Sequence, residues 1–388
     1  MADEAARAQL PLSGIRVIAL EQAVAGPFCS RQLADLGADV IKIERPDGGD
    51  FARAYDGAVH ALSAYFAWLN RGKRSVVLDL KQEENRDLCL QLVRRADVLI
   101  HNLGPGVIER LGLAYEHLHK LHSALIWCGI SGYGPDGPYR DKKAYDLLVQ
   151  AEAGVTSLTG QPEAPAKVGI SIADIAAGLY GYSSILAALI NRGRTGHGER
   201  IEISMLECLT EWMMPALYFW YGTGASPARA GMRHNMIVPY GAYICADGAI
   251  NLAVQNQREW RRFCATVLER PEIADDTRYA TNSDRLRNRV ELESLIENQF
   301  RKYSRAEVLS RLEKAEIANG SVNDVAEVME HEQLQARRRW AQVASPVGTI
   351  PALIPPHNLV DVPAHMGAVP ALGEHTREVL DWLREKQK

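Results

Sequence analysis

The sequence predicts an α/β fold in which a doubly wound parallel sheet is followed by a second, mainly helical region. Three observations predict it. Short β-branched runs alternate with helical stretches through the first half of the 388 residues. Those runs are continuously apolar, as in strands covered on both faces. After one hairpin the strand rhythm stops and charged helical stretches take over. Strand and helix in alternation build parallel sheets, because each parallel pairing needs a crossover.

In chain order, Ile15 to Leu20 (IRVIAL) reads as a strand and Pro27 to Leu36 as a helix. Asp39 to Glu44 (DVIKIE) is the next strand, Leu62 to Leu69 a helix, and Ser75 to Leu80 (SVVLDL) a third strand. Glu83 to Arg95 is helical, with Leu88, Leu92 and Val93 on one face. Asp97 to Asn102 and Ala124 to Ile130 follow as strands. Tyr145 to Ala153 and Asp174 to Asn191 read as helices, Glu199 to Ser204 as a strand, and Leu206 to Tyr221 as a helix. Gly222 to Val238, rich in Gly, Ala, Pro and Arg, looks like a linker. Tyr240 to Leu252 resembles a hairpin turning at Asp247-Gly248. Charged helices run from Arg258 to about Gln335, and the proline-rich Pro346 to Pro370 reads as extended chain.

Composition narrows the function. Hydrophobic residues at 47% and charged residues at 24% are those of an ordinary globular chain long enough for two domains. The net charge of −4 comes without a basic run, which argues against nucleic acid as a partner. Met1 to Gln9 is polar, unlike a signal peptide. The Gly/Ala-rich stretch Ile175 to Ile190 reads as a buried helix rather than a membrane span. These features predict a cytoplasmic protein without membrane contact. The six cysteines are widely spaced and read as reduced core thiols.

Most motifs have a plain structural reading. Gly132-Tyr-Gly134-Pro-Asp-Gly137 matches G-x-G-x-x-G, but Pro135 interrupts it and no helix opens inside it, so it reads as a turn rather than a nicotinamide site. His117, His119 and His122 lack acidic or cysteine partners at ligand spacing, and no metal site is expected. No G-x-S-x-G elbow occurs. Gly104-Pro-Gly106 opens a short helix carrying Arg110, either a structural turn or a phosphate cradle. Asp174 is the most informative residue. An acid in a helix's first turn is usually a cap. Here its neighbours are apolar or small, so the carboxylate is expected to be partly dry, and the following Ala176, Ala177, Gly178 and Gly181 leave room for a backbone or ligand to approach.

Taken together, several motifs resemble one family. They are Leu12-Ser-Gly14-Ile-Arg-Val17, Ala25-Gly-Pro27, Leu36-Gly-Ala-Asp-Val-Ile-Lys-Ile-Glu-Arg45-Pro, Asn70-Arg-Gly-Lys-Arg-Ser75 and Leu78-Asp-Leu-Lys81. Asn102-Leu-Gly-Pro-Gly106, Gly132-Tyr-Gly134, Asp174-Ile-Ala-Ala-Gly178, Arg194-Thr-Gly-His-Gly198 and Leu372-Gly-Glu-His-Thr376 continue the series. The chain resembles the family III CoA-transferases along nearly its whole length. The resemblance implies a large domain with a Rossmann-like sheet, a smaller α+β domain joined by long linkers, and an interlocked homodimer. The first part of the large domain would span 1–222, a linker 223–238 and the small domain 239–335, with 336–388 a second linker and the return to the large domain. It implies Asp174 as nucleophile and contacts to coenzyme A from Val24, Ala25, Arg45, Leu78, Lys81, Asn102, Leu103, Gly104 and Arg110. Arg45 and Arg110 suit CoA phosphates. Ser131, where some members carry a CoA-contacting lysine, and the neighbouring Tyr133 complete the expected CoA surface.

The implied substrates are an acyl-CoA and a small carboxylic acid, with no resident cofactor. Arg229, Arg233 and His234 offer cations for the distal carboxylate of a C4–C5 dicarboxylic acid such as succinate, mesaconate or itaconate. Gly231 to Pro239 is the expected closing segment. α-Methylacyl-CoA racemases share the fold and carry a Gly-His-Asp sequence where this chain has Ala144-Tyr145-Asp146. The missing histidine argues against racemisation. The remaining alternative is a CoA-binding protein without catalysis.

Overall fold

The computed structural model describes residues 9–357, 359, 361–362 and 364–385. Contacts divide the chain into two units. The first comprises 1–154, 168–214 and 333–388; the second comprises 155–167 and 215–332. The division differs from the sequence-based one chiefly at 155–167, a short helical turn and a two-strand ribbon (Gly160–Gln161 with Ala164–Pro165) that leaves the sheet region. Gly231 N–H donates to Gly160 O, so this excursion is held by the second unit's own backbone.

In the first unit, six parallel strands lie in the order β3-β2-β1-β4-β5-β6. They are β1 (Arg16–Leu20), β2 (Asp39–Glu44), β3 (Lys73–Val77), β4 (Val98–His101), β5 (Ile126–Ser131) and β6 (Arg200–Ser204). Residues 17–19 of the central β1 are wholly buried, which explains the unbroken apolar runs. Helices α1 (Ala25–Asp35) and α7 (Ile172–Thr195) cover one face of the sheet and pack on each other. On the other face α3 (Glu83–Val93) and α14 (Thr376–Glu385) share an apolar cluster with Ile18, Ile41 and Leu99. Between α1 and α7 come α2 (Ala64–Asn70), α4 (Val107–Arg110), α5 (Tyr115–Leu121) and α6 (Asp146–Glu152).

Two expectations shift. Strand β3 starts two residues before the predicted Ser75, because Lys73 pairs beside Val40, and Leu78 to Leu80 lie beyond it. The predicted helix Leu206 to Tyr221 is two helices, α8 (Met205–Trp212) and α9 (Met214–Thr223), with Met213 as the joint. Pro215 explains the joint, since it has no N–H to continue the ladder. Helix α7 is long and apolar enough to cross a membrane by length and composition. Its Ala173, Ala176, Ala177, Gly178 and Gly181 are nevertheless buried within the unit.

The second unit packs an antiparallel sheet, β7 (Tyr240–Cys245), β8 (Gly248–Ala253) and β9 (Ala318–Ser321), against α12 (Arg289–Phe300) and α13 (Arg305–Lys314). Helices α10 (Gln257–Arg262) and α11 (Asn282–Arg287) precede them. The core is apolar, with Trp260, Phe263, Phe300, Tyr243 and Ile296 all at most 1% exposed. The tail predicted as extended chain begins as a hairpin, β10 (Trp340–Ser345) with β11 (Gly348–Leu353).

Candidate active site

The C-terminal ends of the strands carry the site, as expected where β1 and β4 send their chains to opposite faces of an open sheet. After β1 the chain makes a tight turn, Glu21 to Val24, and enters α1. The Asn102 side chain that follows β4 clamps this turn: Gln22 N–H donates to its Oδ1 at 2.9 Å and its Nδ2 donates to Gln22 O at 2.8 Å. Beside the turn lies a pocket of about 290 Å³ lined by Gln22, Arg45, Leu78, Lys81, Leu103 and Val107, among others. Four expected CoA contacts, Arg45, Leu78, Lys81 and Leu103, therefore share one wall system, and Asn102 is tied to it through Gln22. Arg45 Nε donates to Gly49 O at 2.8 Å, leaving a half-exposed guanidinium at the rim. Gly104 and Arg110 are exposed, and Arg110 folds over Gly106, whose φ is +70°.

On the other side of the turn stands Asp174, in the first turn of α7. Gly178, one turn on, admits the start of α1 at close range: a Cβ there would lie 2.7 Å from Ala25 O. The small residues after Asp174 thus admit a backbone, that of Ala25. The Ala25 N–H in turn faces the Asp174 carboxylate and favours its ionised form. Val24 and Ala25 are buried. The carboxylate consequently lies at the N-termini of two helices, α1 and its own α7, where backbone N–H groups favour negative charge.

Burial works the other way. Asp174 is half-buried and its pKa is pushed up from the usual carboxylate value to about 7, first by burial and then by the Asp146 carboxylate, against the Ala25 N–H. Asp146 Oδ1 accepts the Ala173 N–H at 2.8 Å, and its Oδ2 accepts from Gln150 at 2.7 Å. Asp146 is therefore the side chain that caps α7, whose own N-cap Ser171 makes no such bond. Tyr55 shares this surrounding: burial, then Asp50 and Asp174, push its phenol up to about 12.

Two expected residues sit elsewhere. Ser131 ends β5, where its Oγ accepts the Gly134 N–H at 3.0 Å and shapes the Gly132-Tyr-Gly134 turn. Tyr133 packs edge-on against Tyr139 under Lys142. Arg229, Arg233 and His234 belong to the second unit, where all three are engaged. Arg229 donates to the carbonyls of Gln161 and Ser157. Arg233 is ion-paired with Glu293 and Glu297 and lies over the Tyr243 ring. His234 stacks on Tyr240 and accepts the Met236 N–H. The expected closing segment is also pinned: Asn282 bonds both Met236 O and Val238 N–H, and Arg285 donates to Val238 O at 2.7 Å.

Residues missed in the sequence are Glu21, Lys42, Asp50 and Lys73, all buried beneath the turn, and Asp146 as the partner of Asp174. Lys42 in the middle of DVIKIE was a legible signal, since a lysine inside a covered strand needs a buried acid. Among the described residues no group of three or more His, Cys, Asp or Glu is placed to hold a metal ion.

A parallel sheet with a partly dry carboxylate at a helix start, beside a pocket at the C-terminal ends of the strands, has the layout of an α/β enzyme site. The CoA-transferase family III model matches residues 12–376, and the chain belongs to that family. It is 40% identical over 381 residues to a succinate–glutarate CoA-transferase of Agrobacterium fabrum, covering 95% of each chain. It is 39% identical to an acetyl-CoA:oxalate CoA-transferase of Acetobacter aceti, covering 84% of each. Among solved structures it resembles a CAIB/BAIF family protein from Brucella suis, with a TM-score of 0.84, 36% identity, and coverage of 96% and 99% of the two chains. The protein is a CoA-transferase that takes acyl-CoA and a carboxylic acid.

Proposed function

We propose that the enzyme moves CoA from an acyl-CoA to a small dicarboxylic acid through covalent intermediates on Asp174. The observation that carries this is the Asp174 carboxylate itself: half-buried, faced by Ala25 N–H, and titrating near neutrality beside Asp146. Such a group loses less hydration on meeting a thioester than an exposed carboxylate does, and its ionised fraction, the nucleophile, grows as pH rises through about 7.

Asp174 attacks the thioester carbon. The C–S bond breaks, giving an acyl-aspartyl anhydride and CoA thiolate. The thiolate attacks the aspartyl carbonyl and expels the first acid as its carboxylate, leaving an aspartyl-CoA thioester. The second acid's carboxylate attacks that thioester and releases thiolate. The thiolate then attacks the new acyl carbonyl, forms the product acyl-CoA and returns Asp174. The Ala25 N–H at the open end of α1, which faces Asp174, is the donor suited to stabilise each oxyanion. Arg45 and Lys81 supply positive charge for the CoA phosphates, Leu78 and Leu103 line its pocket, and Asn102 holds the Gln22 turn at its wall.

The dicarboxylate preference draws on the relatives named for succinate, glutarate and oxalate. Of the three cations in the second unit, Arg229 suits a distal carboxylate best, because among the described residues it donates only to carbonyls and has no acidic partner. Arg233 already faces two glutamates. A homodimer of interlocked chains is supported by α9, whose Leu217, Tyr218, Trp220 and Tyr221 are 42–84% exposed, a surface suited to a second copy. Six free, buried cysteines suit a reducing, cytoplasmic setting.

The test is Asp174→Ala assayed for acyl exchange between succinyl-CoA and a panel of C2 to C6 dicarboxylates. Exchange should fall below detection with the circular dichroism spectrum unchanged. Turnover at the wild-type rate would remove the mechanism.

A further inference from the structure

Under and within the Glu21–Val24 turn lies a set of buried charges, two of which, Glu21 and Asp50, also border the pocket. Glu21, Lys42, Asp50 and Lys73 are each at most 2% exposed. Lys73 Nζ donates to Glu21 Oε1 at 2.7 Å and to Pro27 O at 3.0 Å. Lys42 Nζ donates to Asp50 Oδ2 at 2.8 Å and to Glu21 O at 3.3 Å. Two lysines and two acids balance in charge, but burying four ions costs more than an apolar core of the same volume. Something other than stability is the natural reason for them.

Asp50 shows what it is. Its Oδ1 accepts two backbone N–H groups, from Ala23 at 3.0 Å and from Ala52 at 2.9 Å. Ala23 is a non-glycine residue at φ +61°, a left-handed conformation that costs about 1 kcal/mol or more and persists only where its surroundings impose it. Two residues on, Ala25 N–H meets the Asp174 carboxylate. Ala52 belongs to the 3₁₀ turn Phe51–Ala54, which Asp50 caps and which delivers Tyr55 into the surroundings of Asp174. One carboxylate oxygen thus ties the two loops that flank the nucleophile, and Lys42 on the other oxygen prevents it from rotating away. A cap of a four-residue turn needs only the Ala52 bond; the Ala23 bond, from a residue 27 positions away, serves the other loop.

We infer that Asp50 is a positioning residue of the transfer site, holding Ala23 so that Ala25 N–H faces Asp174. The inference rests on the transfer mechanism proposed above, and its test separates the two. Two charge-balanced double variants are compared, Asp50→Ala/Lys42→Met and Asp50→Asn/Lys42→Met. Both remove the ion pair, but only the second keeps an acceptor for Ala23 N–H. The first should lower kcat by about 100-fold, the scale of misplacing a reacting group, with KM for acyl-CoA changed less than about 3-fold. The second should stay within about 3-fold of wild type.

A readout independent of turnover is the pH midpoint of carbodiimide labelling at Asp174, located by peptide mapping. It should move up in the first variant, where Ala25 N–H no longer faces the carboxylate, and stay in place in the second. Equal kcat and equal labelling midpoints in the two double variants would overturn the inference. Should neither fold, Asp50→Glu keeps the charge opposite Lys42 but displaces the oxygens; a wild-type kcat in that variant also overturns it. If the wild-type enzyme exchanges no acyl groups, the transfer mechanism fails alone, and the labelling midpoints still decide the role of Asp50.

Discussion

The two units bury charge in opposite ways. The sheet unit places Glu21, Lys42, Asp50 and Lys73 in its interior, and adds Asp35 with Arg31 and Arg71 nearby. The second unit fills its interior with Trp260, Phe263, Phe300 and their neighbours, and leaves most ions at the rim, as where Arg278 meets Asp276 and Glu291 in the open. Its buried Arg285 donates to the main-chain carbonyls of Val238 and Tyr279, and its buried Glu293 is paired with Arg233 at the surface. Apolar burial is non-directional and stabilises wherever it occurs. Buried ions are directional: they place particular backbone atoms, and one set of them lies under the turn that faces Asp174. The contrast says that the second unit's core chiefly stabilises, whereas the sheet unit's core also aims a loop.

The largest expected effect breaks the ionic core. Glu21→Ala leaves Lys73 and Lys42 without their shared acid and should destabilise the protein by about 3–5 kcal/mol, read from the urea midpoint. In the second unit Ile296→Ala opens a cavity in an apolar core and should cost about 3 kcal/mol. The two losses are similar in size, but kcat per folded molecule should be unchanged in Ile296→Ala and lowered in Glu21→Ala, because Glu21 begins the turn. If both variants lose kcat alike, the division of labour between the cores is wrong.

A smaller effect concerns the nucleophile. Folding raises the pKa of Asp174 from 3.8 to about 7, so the native state holds more protons than the unfolded state between those values. Stability from this group is present below about pH 4 and is lost as pH rises through 7, because the unfolded state gives up its proton first. Asp174→Asn escapes that loss. It should unfold at higher urea than wild type at pH 8, by about 2 kcal/mol once the partial exposure of the site is allowed for, with the difference vanishing near pH 4. An equal gain at both pH values would assign the effect to packing rather than to charge.

The parts of this design that were legible in the sequence are those written in local pattern. Alternating covered strands and helices show in runs such as Val17-Ile-Ala-Leu20, and Asp174 shows because small apolar residues surround it. Its resemblance to a known family came from motifs spread along the chain. Less legible was everything that depends on strands meeting across the sheet. Lys42 and Lys73 lie on adjacent strands, 31 positions apart, and their shared acid Glu21 lies on a third segment. Lys42 alone signals that a buried acid is needed, but not that the acid is Glu21 or that Lys73 shares it. The hairpin at 340–353 was missed because Pro346 and Pro351 suggested extended chain; Pro346 is in the turn, and Pro351 is paired in a ribbon that has only edges. Arg233 was assigned to substrate as a cation in the expected closing segment, whereas Glu293 and Glu297, which engage it, stand some 60 residues on.

The finest test of the ionic design lies at Asp146. It has two functions that a single substitution separates: its Oδ1 caps α7 through Ala173 N–H, and its charge raises the Asp174 pKa. Asp146→Asn keeps an oxygen for the cap and removes the charge. The acid limb of kcat/KM for acyl-CoA, which reports the free enzyme's nucleophile, should lie near pH 7 in the wild type and move down by as much as about one unit in the variant. The sign follows from like charge: with the neighbour neutral, Asp174 ionises more easily and the enzyme keeps more of its activity at pH 6. An unmoved limb would mean that burial alone sets the nucleophile's ionisation, and that Asp146 matters to α7 only as a cap.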